Sequence, residues 1–316
     1  MGTTSTNYDI YTVDALYLKP KIASIHLLRS QNRIAIIDTG TQYSIKQINR
    51  SLTELGLSYD RVDYIILTHV HLDHAGGASA LMKLCKNAQL IVHPKGARHM
   101  SDPSKLIAGT VAVYGEAEYK NLYGEITPID ADRIIQPTDG ETIDFNGRPL
   151  TFIDTPGHAN HHHCIIDEQT KSIFTGDTMG VAYRALRNDD HAFVMLSTTP
   201  VQFDPVALHE SIDKVMSYEP ETLYLTHYSS LTPSAKIVAG LHEQIEDYVS
   251  LTKQAADAGE KMASVLSENL TEYCTRRCLN ELQNFDEQTA RDWVHMDAKL
   301  NAQGLAFWWQ NRRSSV

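Results

Sequence analysis

The stretch Leu67–Gly77, LTHVHLDHAGG, places four side chains able to bind a metal, His69, His71, Asp73 and His74, within six residues. His69 and His71, two apart, can point the same way in an extended loop. Asp73 and His74 follow on a turn that can aim elsewhere. One loop thus offers two nitrogens to one metal, and one oxygen and one nitrogen to a second. Imidazole and carboxylate suit zinc, iron or manganese, and the lack of a cysteine ligand disfavours a closed structural zinc site. A second histidine-rich stretch, PGHANHHHCII (156–166), holds His158, His161, His162 and His163. Taken alone, such a cluster is only a compositional hint.

The elements around these residues read as strands with intervening helices. VDYIILTH (62–69) is a short, nearly continuous apolar run, as expected of a strand buried on both faces that ends at the polar motif. IASIHLLRS and RIAIIDTG alternate and read as antiparallel strands ending at Gly40. Ile45, Ile48, Leu52 and Leu55 then fall on one helical face. Residues 94–123 read as irregular to helical. The block 132–174 is strand-rich, with turn signals at Asp139-Gly140 and Asn146-Gly147. Asp204 and Pro205 start a helix whose apolar stripe is Leu208, Ile212, Val215 and Met216, and ETLYLTH is one more strand. From Pro233 onward the pattern is helical and ends in the apolar run Leu305–Trp309. Strands on both sides of interspersed helices suggest two sheets sandwiched by helices.

The chain has 316 residues, 42% hydrophobic and 21% charged, a soluble globular composition with a formal net charge of −11. That charge argues against broad affinity for nucleic acid or anionic membranes. The four cysteines, Cys85, Cys164, Cys274 and Cys278, are scattered, so a disulfide scaffold is not expected and a reducing, cytoplasmic setting is. No apolar run approaches the roughly 18–20 residues of a membrane span. No signal-peptide pattern is visible, although Gly2 and Thr6 meet the loose myristoylation pattern.

The H-x-H-x-D-H of residues 69–74 resembles the hallmark of the metallo-β-lactamase fold superfamily, and the resemblance runs over roughly residues 8–230. The family's other motifs follow in order. AIIDTG places Asp38 near the site as a hydrogen-bonding support. DTPGHA makes His158 a ligand, FTGDT makes Asp177 a bridging carboxylate, and YLTHY makes His227 a ligand. The resemblance implies an α/β fold, a four-layer αββα sandwich with a helical C-terminal extension. With the helical pattern after Pro233, the expected division is a metallo-β-lactamase-like domain, 1–232, and a helical C-terminal extension, 233–316. It implies two divalent or trivalent metal ions, zinc or iron with manganese also compatible. One would be held by His69, His71, His158 and Asp177, and the other by Asp73, His74, Asp177 and His227. A bridging hydroxide is then the nucleophile, with Asp73 orienting it or carrying the proton.

Within the superfamily, His71 and the absence of a flavodoxin-like segment separate the chain from flavodiiron proteins. Gly180 stands where the lactonases that open homoserine lactones commonly place a tyrosine. TPGHANHH, GDTMG and TTPVQFDP are most similar to a branch containing diiron oxygen-binding proteins and quinolone-signal thioesterases. This implies His162 as a partner of a ligand, and Tyr183, Arg184, Phe193 and Thr198 as substrate-pocket residues; His161 and His163 read as scaffolding. The expected function is hydrolysis of a small ester, thioester or lactone. The alternatives are a diiron oxygen-binding or redox protein, and a metal-containing regulatory protein with little turnover. The expected partner is a small molecule, not nucleic acid or membrane, and the C-terminal helices offer a homodimer contact.

Overall fold

Strand-forming runs in the first half of the chain pair into one mixed sheet, and those in the second half into another. The computed structural model describes residues 4–5, 8–188, 191–198 and 201–313; Gly2, Thr6, Thr199 and Pro200 lie outside the described residues. The first sheet contains β1 (Thr4–Ser5), β2 (Ile10–Asp14), β3 (Ser24–Ser30), β4 (Arg33–Ile37), β5 (Val62–Leu67), β6 (Gln89–Val92) and β7 (Ile134–Ile135), in that order. Pairing is antiparallel up to β4 and parallel from β4 to β7. The second sheet contains β8 (Thr142–Phe145), β9 (Arg148–Asp154), β10 (His163–Asp167), β11 (Ser172–Gly176), β12 (Thr222–Leu225) and β13 (Ser229–Leu231), again in sequential order. Only its β11–β12 pair, among those with a defined register, is parallel.

The helices between the early strands are α1 (Ile45–Glu54), α2 (Leu72–Ala75), α3 (Ala78–Leu84), α4 (Pro94–Ser101), α5 (Ser104–Tyr114) and α6 (Glu116–Tyr123). Later come α7 (Pro205–Ser217), α8 (Ala235–Ala255), α9 (Met262–Glu281) and α10 (Glu287–Arg313). The segment expected to be irregular to helical, 94–123, is three helices. None of the described helices is long and apolar enough to cross a membrane.

The chain divides into two compact units. The first is Met1–Asp154, His161–Gly176 and Pro220–Ser230; the second is Thr155–Asn160, Asp177–Glu219 and Leu231–Val316. In the first unit the period-2 alternation of each strand sorts side chains into two cores. Leu28, Ala35, Ile37, Ile66 and Ile91 of the first sheet pack against Phe145, Leu150, Phe152, Ile165, Phe174 and Tyr224 of the second. The other face of the first sheet, with Ile25, Leu27, Ile34, Ile36, Ile65 and Leu90, packs against Ile48 and Leu52 of α1 and Leu81 and Met82 of α3.

The β8–β9 turn bears out the Asn-Gly signal. Asn146 and Gly147 have φ of 52° and 82°, the left-handed pair that a two-residue hairpin with native twist requires. Arg148, just after it, is 2% exposed and grips Asp167 of β10 by two hydrogen bonds of 3.0 and 2.5 Å. It also donates to the carbonyls of Tyr8 and Arg29, tying the second sheet to the first.

In the second unit, Asp204 caps α7 as its sequence suggests, accepting from the backbone of Val206 and Ala207. Leu208, Ile212 and Val215 are buried. Leu241, Ile245 and Tyr248 of α8, Leu266, Leu270 and Cys274 of α9, and Val294, Ala298 and Leu305 of α10 form the apolar stripes of the helical segment.

Candidate metal centre

β5 delivers the motif. Its last residues are fully buried, so the backbone arrives in a fixed position at Thr68 and His69. The chain bends at Thr68 and is extended at His71, whose φ/ψ of −61°/146° precede the single turn of α2. That break in direction makes His69 and His71 neighbours, with Nε2 of one 2.9 Å from Nδ1 of the other. Asp73 and His74 follow within α2, and the His74 ring lies 4.0 Å from that of His69.

Asp38 stands behind this loop at the end of β4, with φ at 54° and 1% exposed. Its carboxylate accepts from the Thr68 amide and hydroxyl, from Nδ1 of His74 at 2.8 Å and from the Thr226 hydroxyl at 2.7 Å. Burial raises its affinity for a proton. The neighbouring His74 and the donated hydrogen bonds outweigh this and hold the carboxyl below its ordinary value.

His227 follows β12, and its Nδ1 donates to the carbonyl of Ile22 at 2.9 Å. With Nδ1 of His74 and of His227 both committed to oxygen acceptors, Nε2 is the lone-pair nitrogen of each neutral ring. These two Nε2 atoms lie 3.3 Å apart, and Nε2 of His227 is 3.3 Å from the Asp73 carboxylate. One ligand atom from each of Asp73, His74 and His227 lies within 4.8 Å of the others. Two lone pairs and an anionic oxygen converging on one point repel unless a cation lies among them. The donor set therefore fits a divalent metal, and the oxygen acceptors behind the rings fix tautomer and orientation as metal-binding histidines require. At Asp73 the loss of solvent raises the carboxyl, but His74, His227 and His71 together hold it well below the carboxylate range.

The second unit contains a matching pair. His158 lies four residues beyond β9, and Asp177 directly follows β11. Nδ1 of His158 donates to the carbonyl of Ser197 at 3.2 Å, which turns its Nε2 toward Asp177 Oδ2 at 3.5 Å. The Ser197 hydroxyl donates to the same oxygen at 3.2 Å. Gly157 permits the turn: its φ is +125°, and an added Cβ would lie 2.4 Å from the Leu208 backbone.

Of the remaining residues expected at the site, His162 stacks on His69 at 4.9 Å between ring centroids. His161 also approaches the motif, 5.5 Å from the His71 ring. His163 is packed away: it donates to the Leu67 carbonyl and sits beside Phe152 and His93. Tyr183, 2% exposed, donates to Asp297 of α10. Phe193 is fully buried, and so is Thr198, whose amide and hydroxyl bond to Asn301. Arg184 is exposed. Thr68, Thr226 and Ser197 were not singled out in the sequence. For the two threonines a signal exists, since both β5 and β12 end in the same Leu-Thr-His.

Residues 18–227 match the family described as metallo-beta-lactamase superfamily. The metallo-beta-lactamase fold-containing protein ST1585 of Sulfurisphaera tokodaii is 27% identical over 218 residues, 68% of this chain and 76% of that protein. The crystal structure described for ST1585 superposes with a TM-score of 0.65 at 22% identity, over 95% of this chain and 99% of that one. Acyl-coenzyme A thioesterase MBLAC2 of Bos taurus is 27% identical over 176 residues, 50% of this chain and 58% of that protein. Atrochrysone carboxyl ACP thioesterase of Aspergillus fumigatus is 27% identical over 119 residues, 38% of this chain and 28% of that protein.

Proposed function

This chain belongs to the metallo-β-lactamase superfamily, and we propose that it is a dinuclear metal-dependent hydrolase of acyl thioesters. The observation that carries the reading is the convergence of Asp73, His74 and His227 on one point, with Asp38 and the Ile22 carbonyl locking the two rings from behind. We assign Asp73, His74, Asp177 and His227 as ligands of one ion, and His69, His71, His158 and Asp177 as ligands of the other. The support for His158 and Asp177 is chain connectivity together with their mutual arrangement: each closely follows a strand of the second sheet, and Ser197 orients both. Thioesters are favoured among carbonyl substrates because two relatives are named as thioesterases, one for acyl-coenzyme A and one for an acyl carrier protein.

When bound, two such cations would polarise a substrate carbonyl and bring the pKa of a water near neutrality. The protein's own groups do the rest. Asp73 is ionised at neutral pH because of its imidazole neighbours, and its side chain is 24% exposed where those of His74 and His227 are 1% and 7%. It is the group of the three that can reach an incoming water and orient it by accepting its hydrogen bond. No serine or cysteine is needed as nucleophile, and the four cysteines are buried.

The test is metal analysis of the full chain purified without added metal, alongside thiol release from acyl-coenzyme A thioesters. We expect two ions per chain and turnover that a chelator abolishes, with Asp177→Asn losing metal. The N/O donor set takes iron as readily as zinc. An iron protein with oxygen-dependent absorption bands and no thioester turnover would overturn the hydrolase reading in favour of oxygen binding.

A further inference from the structure

We propose that His209 and His242 form a second, separate site for a zinc-like divalent cation, one that clamps α7 to α8. Each helix supplies a histidine and a carboxylate one turn apart: His209 and Asp213 on α7, His242 and Glu246 on α8. The pairs are crossed. Nε2 of His209 lies 3.1 Å from Glu246 of the other helix, and Nε2 of His242 lies 3.1 Å from Asp213. The two ring planes lie within 10° of parallel, with Nδ1 facing Nδ1 at 2.6 Å.

Proton bookkeeping makes this arrangement informative. An ionised carboxylate only accepts, so each Nε2 facing one carries the hydrogen. In the neutral rings both Nδ1 atoms are then lone pairs, and they point at each other at contact distance. Such a pair requires a positive species between the nitrogens. A carboxylate bonded to the far nitrogen of each imidazole is the arrangement that orients histidine ligands and raises their basicity.

The surroundings suit a metal ion. A surface depression of about 530 Å³ is lined by His209, His242, Glu243, Glu246 and Asp247, three carboxylates with no lysine or arginine among the lining residues. Glu243 and Asp247 are held by Arg277 and Tyr273, so the remaining coordination positions go to water from the open side. Zinc–nitrogen bonds of ~2.0–2.1 Å at a tetrahedral angle need the two Nδ1 atoms roughly 3.3 Å apart. The histidine side chains are 27% and 26% exposed, which leaves them room for that sub-ångström opening.

The experiment is a zinc titration of the full chain, reading bound zinc per chain at micromolar free zinc and the zinc-induced rise in Tm. The double variant His209→Ala/His242→Ala should bind one zinc fewer than wild type and lose part of that Tm rise, with thioester turnover unchanged. Asp213→Asn with Glu246→Gln should keep the site but weaken it by about 10–100-fold. His242→Gln, a polar replacement, gives the same readout should the double variant be unstable. Equal zinc counts in wild type and variants would overturn the proposal and leave a shared proton joining the rings. Because the readout is a difference between chains, it holds whatever the catalytic centre turns out to contain.

Discussion

Asp38 and His74, thirty-six residues apart, are joined by a 2.8 Å hydrogen bond in which the carboxylate just after β4 fixes the ring of a residue within α2. The same carboxylate serves Thr68 and Thr226, each the residue before a motif histidine. Asp38→Ala therefore removes the acceptor of three groups at once and frees the His74 ring to rotate or change tautomer. We expect metal affinity to drop by about 10–100-fold, as for other partners behind metal-binding histidines. Competition with a chromogenic chelator measures it. Unchanged affinity would mean that His74 is oriented without Asp38.

Gly176 ends β11 with φ at +48°, and a Cβ there would lie 2.5 Å from His162 Nε2 and 2.7 Å from Thr68 Oγ1. Gly176→Ala is expected to destabilise the fold by about 1–3 kcal/mol, from overpacking and from the strained backbone. It should also displace Thr68 from Asp38. Denaturant unfolding reads the first effect and metal affinity the second. A variant as stable as wild type would show that the His162 ring has room to move.

The motif histidines and the strands beneath them were legible in the sequence because the physics there is local. A buried strand reads as an apolar run, and side chains able to bind a metal cluster where it ends. Asn146-Gly147 and Asp204-Pro205 were legible for the same reason, since turn and cap chemistry act over a few residues. The partners of Asp38 were not. Thr226 is 188 residues away, and its role depends on how β12 and β4 lie in the folded unit. Strand alternation reads His161 as scaffolding, but β10 begins only at His163, so alternation does not govern His161. Its ring instead comes within 5.5 Å of His71.

Arg148 and Asp167 form a buried ion pair whose remaining donor also holds the carbonyls of Tyr8 and of Arg29 in β3. Removing one partner leaves a charge without solvent or counterion. Arg148→Met should therefore cost about 3–5 kcal/mol, whereas the double change Arg148→Met/Asp167→Leu should recover much of it. Urea midpoints of the wild type, both single variants and the double variant test this. Additive single losses would show that the pair does not act as a unit.

His163 is fully buried beside Phe152, with its Nε2 on the Leu67 carbonyl, and burial followed by the neighbouring His93 pushes its pKa down to about 4 from an ordinary 6.5. The neutral ring is the one the fold accepts, so the unfolded chain binds the proton first as pH falls. Its contribution is complete above pH 6.5 and is lost as the pH drops through the interval to about 4, by roughly 3 kcal/mol in all. His163→Gln keeps a donor for the Leu67 carbonyl without a titrating group. Chemical denaturation at a series of pH values from 7.5 to 4.5, with chelator present throughout, should give the variant the shallower slope. Carboxylates that also lose stability in acid act equally on both proteins, so the difference between the two slopes isolates this ring, and parallel slopes would show that His163 is protonated in the folded protein as easily as in the unfolded one.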